Sequence, residues 1–67
     1  MKIVINDDMH DVMDNESLHF ILSSLGFNDF RGWAVAVNQQ VIPREKFEVT
    51  FLREGDEVML IQASQGG

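Results

Sequence analysis

Only one stretch of this 67-residue chain repeats its apolar residues with helical spacing. Leu18, Ile21, Leu22 and Leu25 fall at i, i+3, i+4 and i+7, which sets all four on one face of a helix. A single amphipathic helix must bury that face against something. With no second helix to meet, the partner has to be one face of a sheet. No cysteine is present, so neither a disulfide nor a thiolate metal site can stand in for a core. A chain this short buries only about 60% of its extended surface, which allows one domain and no deep catalytic cleft.

The flanking sequence supplies the sheet. Lys2 to Asn6 alternates around Ile3 and Ile5, and Met9 to Met13 follows after the turn residues Asn6-Asp7-Asp8. These two short strands predict an antiparallel hairpin with Val12 inward. Ser17 is the expected helix N-cap, with Asn15 competing, and Gly26 with Phe27 is placed to end the helix. Trp33 to Val37 is nearly all apolar and reads as a central strand. Asn38-Gln39-Gln40 turns it into the short extended piece Val41-Ile42, and Pro43 opens a 3₁₀ segment through Lys46. The alternation Phe47, Val49, Phe51 predicts a further short strand, and Arg53 to Asp56 turns into a last strand over Glu57 to Ala63. The expected architecture is α+β, a mixed sheet of four to five strands packed on one main helix. Residues 1–63 form the domain and 64–67 a flexible tail.

Charge and composition exclude several classes. Eleven acidic against five basic residues give a net charge of −6, which does not suit a nucleic-acid binder. It suits docking on a basic partner surface. No apolar run approaches membrane-spanning length and the N-terminus is no signal peptide, so a soluble cytoplasmic protein is expected. His10 and His19 lie on different elements with no pairing spacing, and Asp7, Asp8, Asp11 and Asp14 lack calcium-loop spacing. No catalytic residue and no metal site are assigned.

The chain ends on Gly66-Gly67, directly beyond the last strand. Glycine has no Cβ, so such an end can lie extended in a channel that side chains would block. It delivers the α-carboxylate of Gly67, ionised at neutral pH because its pKa is about 3.3–3.7. A carboxylate is a poor acyl donor until another enzyme activates it.

Three stretches carry a family likeness: Ala34 to Arg44 (Ala-Val-Ala-Val-Asn-Gln-Gln-Val-Ile-Pro-Arg), Glu54 to Val58 (Glu-Gly-Asp-Glu-Val), and Gly66-Gly67. Over essentially its whole length the chain resembles the sulfur-carrier proteins of thiamine biosynthesis, ubiquitin-like proteins of the β-grasp fold. The resemblance implies that the final strand lies beside the first. It also implies a carrier without turnover of its own, monomeric when free, holding no cofactor. An adenylating (E1-like) enzyme would spend ATP and Mg²⁺ on the terminal carboxylate. Sulfur from a cysteine desulfurase would then give a thiocarboxylate, and thiazole synthase would accept the sulfur. Gly67 becomes the sulfur-bearing residue and Gly66 the slender neck behind it. Ser64-Gln65 departs from the small or apolar residues usual before the glycines. The small subunit of molybdopterin synthase and a lysine-conjugating modifier share the terminus and stay open as alternatives, as does a plain interaction module. Arg44, Met59 and Ile61 are the candidate partner contacts, with the last two on the open face of the sheet. Trp33 and Phe30 fit interface anchors and core residues equally well.

Overall fold

The structure, a computed structural model, describes residues 1–62. Its elements are β1 (Lys2–Ile5), β2 (Asp8–Asp11), α1 (Leu18–Ser24), β3 (Trp33–Val37), β4 (Gln40–Ile42), a 3₁₀ turn (Arg44–Lys46) and β5 (Glu57–Gln62). The five strands form one sheet in the order β2-β1-β5-β3-β4. β1 is antiparallel to β2 and parallel to β5, while β3 is antiparallel to both β5 and β4. The mixed sheet with its final strand beside the first is the β-grasp arrangement.

Both hairpins turn in two residues with left-handed backbone: Asn6 and Asp7 (φ 48° and 72°), then Asn38 and Gln39 (φ 50° and 71°). Two consecutive left-handed residues give the turn whose twist matches that of the flanking strands; Asn and Asp tolerate it best after glycine, and Gln39 adopts it as well. β2 stops at Asp11, although backbone bonds continue one step: the Val12 N–H donates to the Met1 carbonyl at 2.8 Å and the Met1 ammonium to the Val12 carbonyl at 2.6 Å. Val12 packs at the border of the core.

Ser17 caps α1, its hydroxyl accepting the Phe20 N–H at 3.0 Å. Two more of the helix's otherwise orphaned amides find carbonyls across the fold, Leu18 N–H on Thr50 at 2.7 Å and His19 N–H on Phe47 at 3.1 Å. At the other end Gly26 takes φ 98°, and the Gly26 and Phe27 amides donate to Ser23 and Leu22 at 3.0 and 2.9 Å. That paired pattern stops the helix by satisfying its last carbonyls. Leu18, Ile21 and Leu22 are at most 1% exposed, packed among Ile3, Ile5, Val35, Phe47, Leu52, Val58 and Leu60.

Two expectations are corrected. Leu25, the fourth stripe residue, is 37% exposed because the helix is seven residues long and Leu25 sits on its C-cap, past the core. The predicted strand over Phe47 to Phe51 is a continuation of the 3₁₀ turn, with Phe47 and Val49 amides bonded back to Arg44 and Lys46. Only Phe51 makes an isolated antiparallel bridge, to Ser17. Phe47 alone of the alternating three is buried. The segment's carbonyls serve the helix N-terminus instead of a neighbouring strand.

β5 ends at Gln62 within the described residues. Ala63, expected as the strand's last residue, and the tail Ser64 to Gly67 lie outside them. No helix among the described residues is long and apolar enough to cross a membrane.

Candidate functional site

Gly67, expected to bear the cargo, and Gly66, expected as the neck behind it, both lie outside the described residues. What the structure does define is the strand that carries them. β5 occupies the middle of the sheet, and its last described residue, Gln62, pairs with Trp33 at the start of β3. Its ladder with β1 stops near Ile5, where the Asn6 side chain takes over: Asn6 Oδ1 accepts the Leu60 N–H at 2.8 Å. From Leu60 onward β3 alone supplies the partner strand.

The beginning of β5 is held by a second asparagine. Asn38 Oδ1 accepts the Glu57 N–H at 2.9 Å, and Asn38 Nδ2 donates to Asp56 Oδ1 at 3.0 Å. The other oxygen of Asp56 accepts the Arg53 N–H at 2.8 Å, closing its turn. The Asn38 N–H donates to the Glu57 carbonyl at 2.7 Å. Two of the sequence stretches that carry the family likeness therefore meet at Asn38, Asp56 and Glu57. Their shared work is structural: they fix the register of the strand that leads to the tail.

Side chains along β5 alternate. Val58 and Leu60 are buried under α1, whereas Met59 and Ile61 are 46% and 45% exposed on the opposite face. The register sets Ala36 beside Met59 and Ala34 beside Ile61, and places Val41 beyond Ala36 on β4. On the other flank Val4 pairs with Met9. The result is an apolar band over β5, β3 and β4, with Val4 and Met9 lying on β1 and β2 beyond the charged Glu57 that pairs with Val4; Met9 and Val41 are the most exposed of these apolar residues. Val4, Met9 and Val41 were missed from sequence, although their parity along the strands was the available signal.

Arg44 stands apart from this band. It opens the 3₁₀ turn in a shallow cleft on the helix side, lined by His19, Asn28, Asp29, Phe30, Arg31, Phe47 and Glu48. Arg31 and Asp29 form a forked pair there, with contacts of 3.1 Å (Nε to Oδ1) and 2.8 Å (Nη2 to Oδ2). The Arg31 guanidinium holds the Asp29 carboxyl below its ordinary range, with a smaller contribution from Arg44. Phe30 closes the loop onto the core, edge-on against Phe47 with ring centroids 5.3 Å apart. His10 and His19 lie in different layers, on β2 and α1. Among the described residues no group of three or more His, Cys, Asp or Glu side chains is placed to hold a metal ion.

Comparison with known proteins agrees with this fold. The model of the ThiS family matches residues 3–67. The sulfur carrier protein ThiS of Escherichia coli (strain K12) is 33% identical over 67 residues, covering all of both chains. The crystal structure of a thiamine biosynthesis protein (ThiS) from Geobacter metallireducens superposes with a TM-score of 0.87 at 26% identity, covering all of both chains. A solution structure of a thiamine biosynthesis protein from the same organism gives 0.75 at 26% identity, covering all of this chain and 88% of that one. With the family model matching almost from end to end, this chain belongs to the ThiS family.

Proposed function

We propose that this chain is a sulfur carrier of thiamine biosynthesis, with the carboxylate of Gly67 as its cargo site. The observation that carries the reading is the full-length match to the ThiS family in a cysteine-free chain ending in Gly-Gly. Without a thiol, the terminal carboxylate is the group left to hold sulfur as an acyl derivative. An E1-like partner supplies ATP and Mg²⁺. A Gly67 oxygen attacks the α-phosphorus of ATP, pyrophosphate leaves, and the acyl adenylate forms. Stabilisation of the phosphate charge is the partner's work. The outer sulfur of a cysteine desulfurase-derived persulfide then attacks the carbonyl carbon and AMP departs, leaving an acyl disulfide. A thiol of the partner attacks the distal sulfur of that disulfide, forming a protein disulfide and releasing the thiocarboxylate. Thiazole synthase takes that sulfur into the forming ring.

This chain is a co-substrate in the sequence. Its contribution is a slender end on a rigid strand and a surface for docking. Met59 and Ile61, with the rest of the open-face band, are the surface proposed to meet the partners, an apolar patch with Glu57 at its centre beside Val4 and Asp11 at the β2 edge.

The test is the mass of the intact protein after incubation with the adenylating enzyme of the same organism, Mg-ATP and a sulfide source. The expected result is a gain equal to sulfur replacing oxygen, located in the fragment containing Gly67. An unchanged mass, with the enzyme active on another carrier, overturns the reading.

A further inference from the structure

The pole of the molecule from which the tail departs carries a second apolar cluster, unrelated to the open-face band. Topology brings it together. β2 returns the chain to the Met1 end of the sheet, where α1 begins, its Leu18 amide bonded to Thr50. α1 therefore runs back toward the opposite end, and its C-terminal residues Leu25 and Phe27 are delivered there. β3 starts at that same end with Trp33, directly beside Gln62. Leu25, Phe27 and Trp33 are 37%, 38% and 38% exposed, each a large apolar side chain left partly in water. Trp33 shares the strand parity of Val35 and so faces the helix layer, while Ile61 faces the open side. The root of the tail is thus flanked by apolar surface on both faces of the sheet.

Resting on the function proposed above, we infer that the Leu25–Phe27–Trp33 cluster docks against the rim of the adenylating enzyme's tail channel. The length of the tail is the reason. The five residues from Ala63 to Gly67 span at most about 18 Å even when fully extended. An enzyme that closes around the Gly67 carboxylate must therefore bring its own surface close to the pole at Gln62. Side chains flanking that root are covered when the tail is engaged. Trp33 is the anchor, as a large ring on a rigid strand that gives up little conformational freedom on burial. The open-face band orients the carrier, and the Trp33 pole sets how deeply the tail enters.

The test measures KM and kcat for the carrier in ATP–pyrophosphate exchange by the adenylating enzyme, using wild type, Trp33→Ala and Trp33→Phe. Urea midpoints check that each variant is folded. Trp33→Ala is expected to raise KM by about tenfold or more with kcat little changed, and Trp33→Phe to recover most of the loss. An unchanged KM for a folded Trp33→Ala overturns the inference. A second readout needs no variant: 5-fluorotryptophan at Trp33, the only tryptophan, gives one ¹⁹F resonance that should shift on adding the enzyme. Three results count against the inference: a resonance unmoved while exchange proceeds, one that moves in the free protein when residues 63–67 are deleted, and one that depends on carrier concentration. The second outcome would assign the cluster to the chain's own tail and the third to a second copy. If wild-type carrier supports no exchange at all, the proposed function fails first.

Discussion

Replacing Asn38 probes the device that sets the register of β5. Asn38→Ala removes two side-chain hydrogen bonds, to Glu57 N–H and to Asp56. Both are solvent-accessible, so water replaces part of each and the combined loss is about 1–1.5 kcal/mol. Alanine must also hold φ 50°, a left-handed conformation. That adds about 1 kcal/mol. The sum is about 2–2.5 kcal/mol. In a domain of this size it should lower the urea midpoint by about 2 M and the melting temperature by about 8–20 °C. Asn38→Gly loses the same bonds but accepts the backbone angle, so it should lie about 1 kcal/mol above the alanine variant. Urea titrations followed by far-UV circular dichroism measure both. If alanine and glycine are equal, or both cost less than about 0.5 kcal/mol, Asn38 is not the register lock described here.

Other outcomes follow from single contacts. Leu22→Ala empties a fully buried site under the sheet and should cost about 2–5 kcal/mol in the same titration, whereas a negligible loss would mean the buried helix face is misassigned. Gly26→Ala meets no atom within 4 Å, so its cost is backbone strain alone, about 1 kcal/mol, and a thermal melt should show a drop of several degrees without loss of structure. One residue added after Gly67 should leave the melt unchanged and abolish the sulfur-for-oxygen mass gain. An extended chain that still acquires sulfur would refute activation at the terminal carboxylate.

The helix and its partner sheet were legible in the sequence because their signals are local. Leu18, Ile21 and Leu22 share a face, Ser17 caps it, and Gly26 ends it within a dozen residues. The pairing of β5 with β1 joins residues more than fifty positions apart, and no periodicity encodes it; it came from the family likeness. The Phe47–Phe51 alternation misled because a 3₁₀ turn also presents one buried aromatic followed by exposed ones. Its carbonyls were claimed by α1, which a strand pattern cannot reveal. For the site, the terminal Gly-Gly was the sequence feature on which the proposed chemistry rests. The surfaces around it were less readable: the parity of β5 exposes Met59 and Ile61, but only the assembled topology sets Trp33 beside Gln62. Arg44 was open between an exposed side chain and a partner contact; the fold sets it in the helix-side cleft, on a different surface from Met59 and Ile61.

The central position of β5 also has a mechanical meaning. A tail held in an enzyme's channel transmits tension along β5, which lies between parallel β1 and antiparallel β3. Pulling along a strand loads its lateral hydrogen bonds in shear, so they share the force; an edge strand peeled sideways breaks them one at a time. In the function proposed above, an enzyme gripping the tail therefore pulls on a strand whose start is held from both sides and whose end is held by β3.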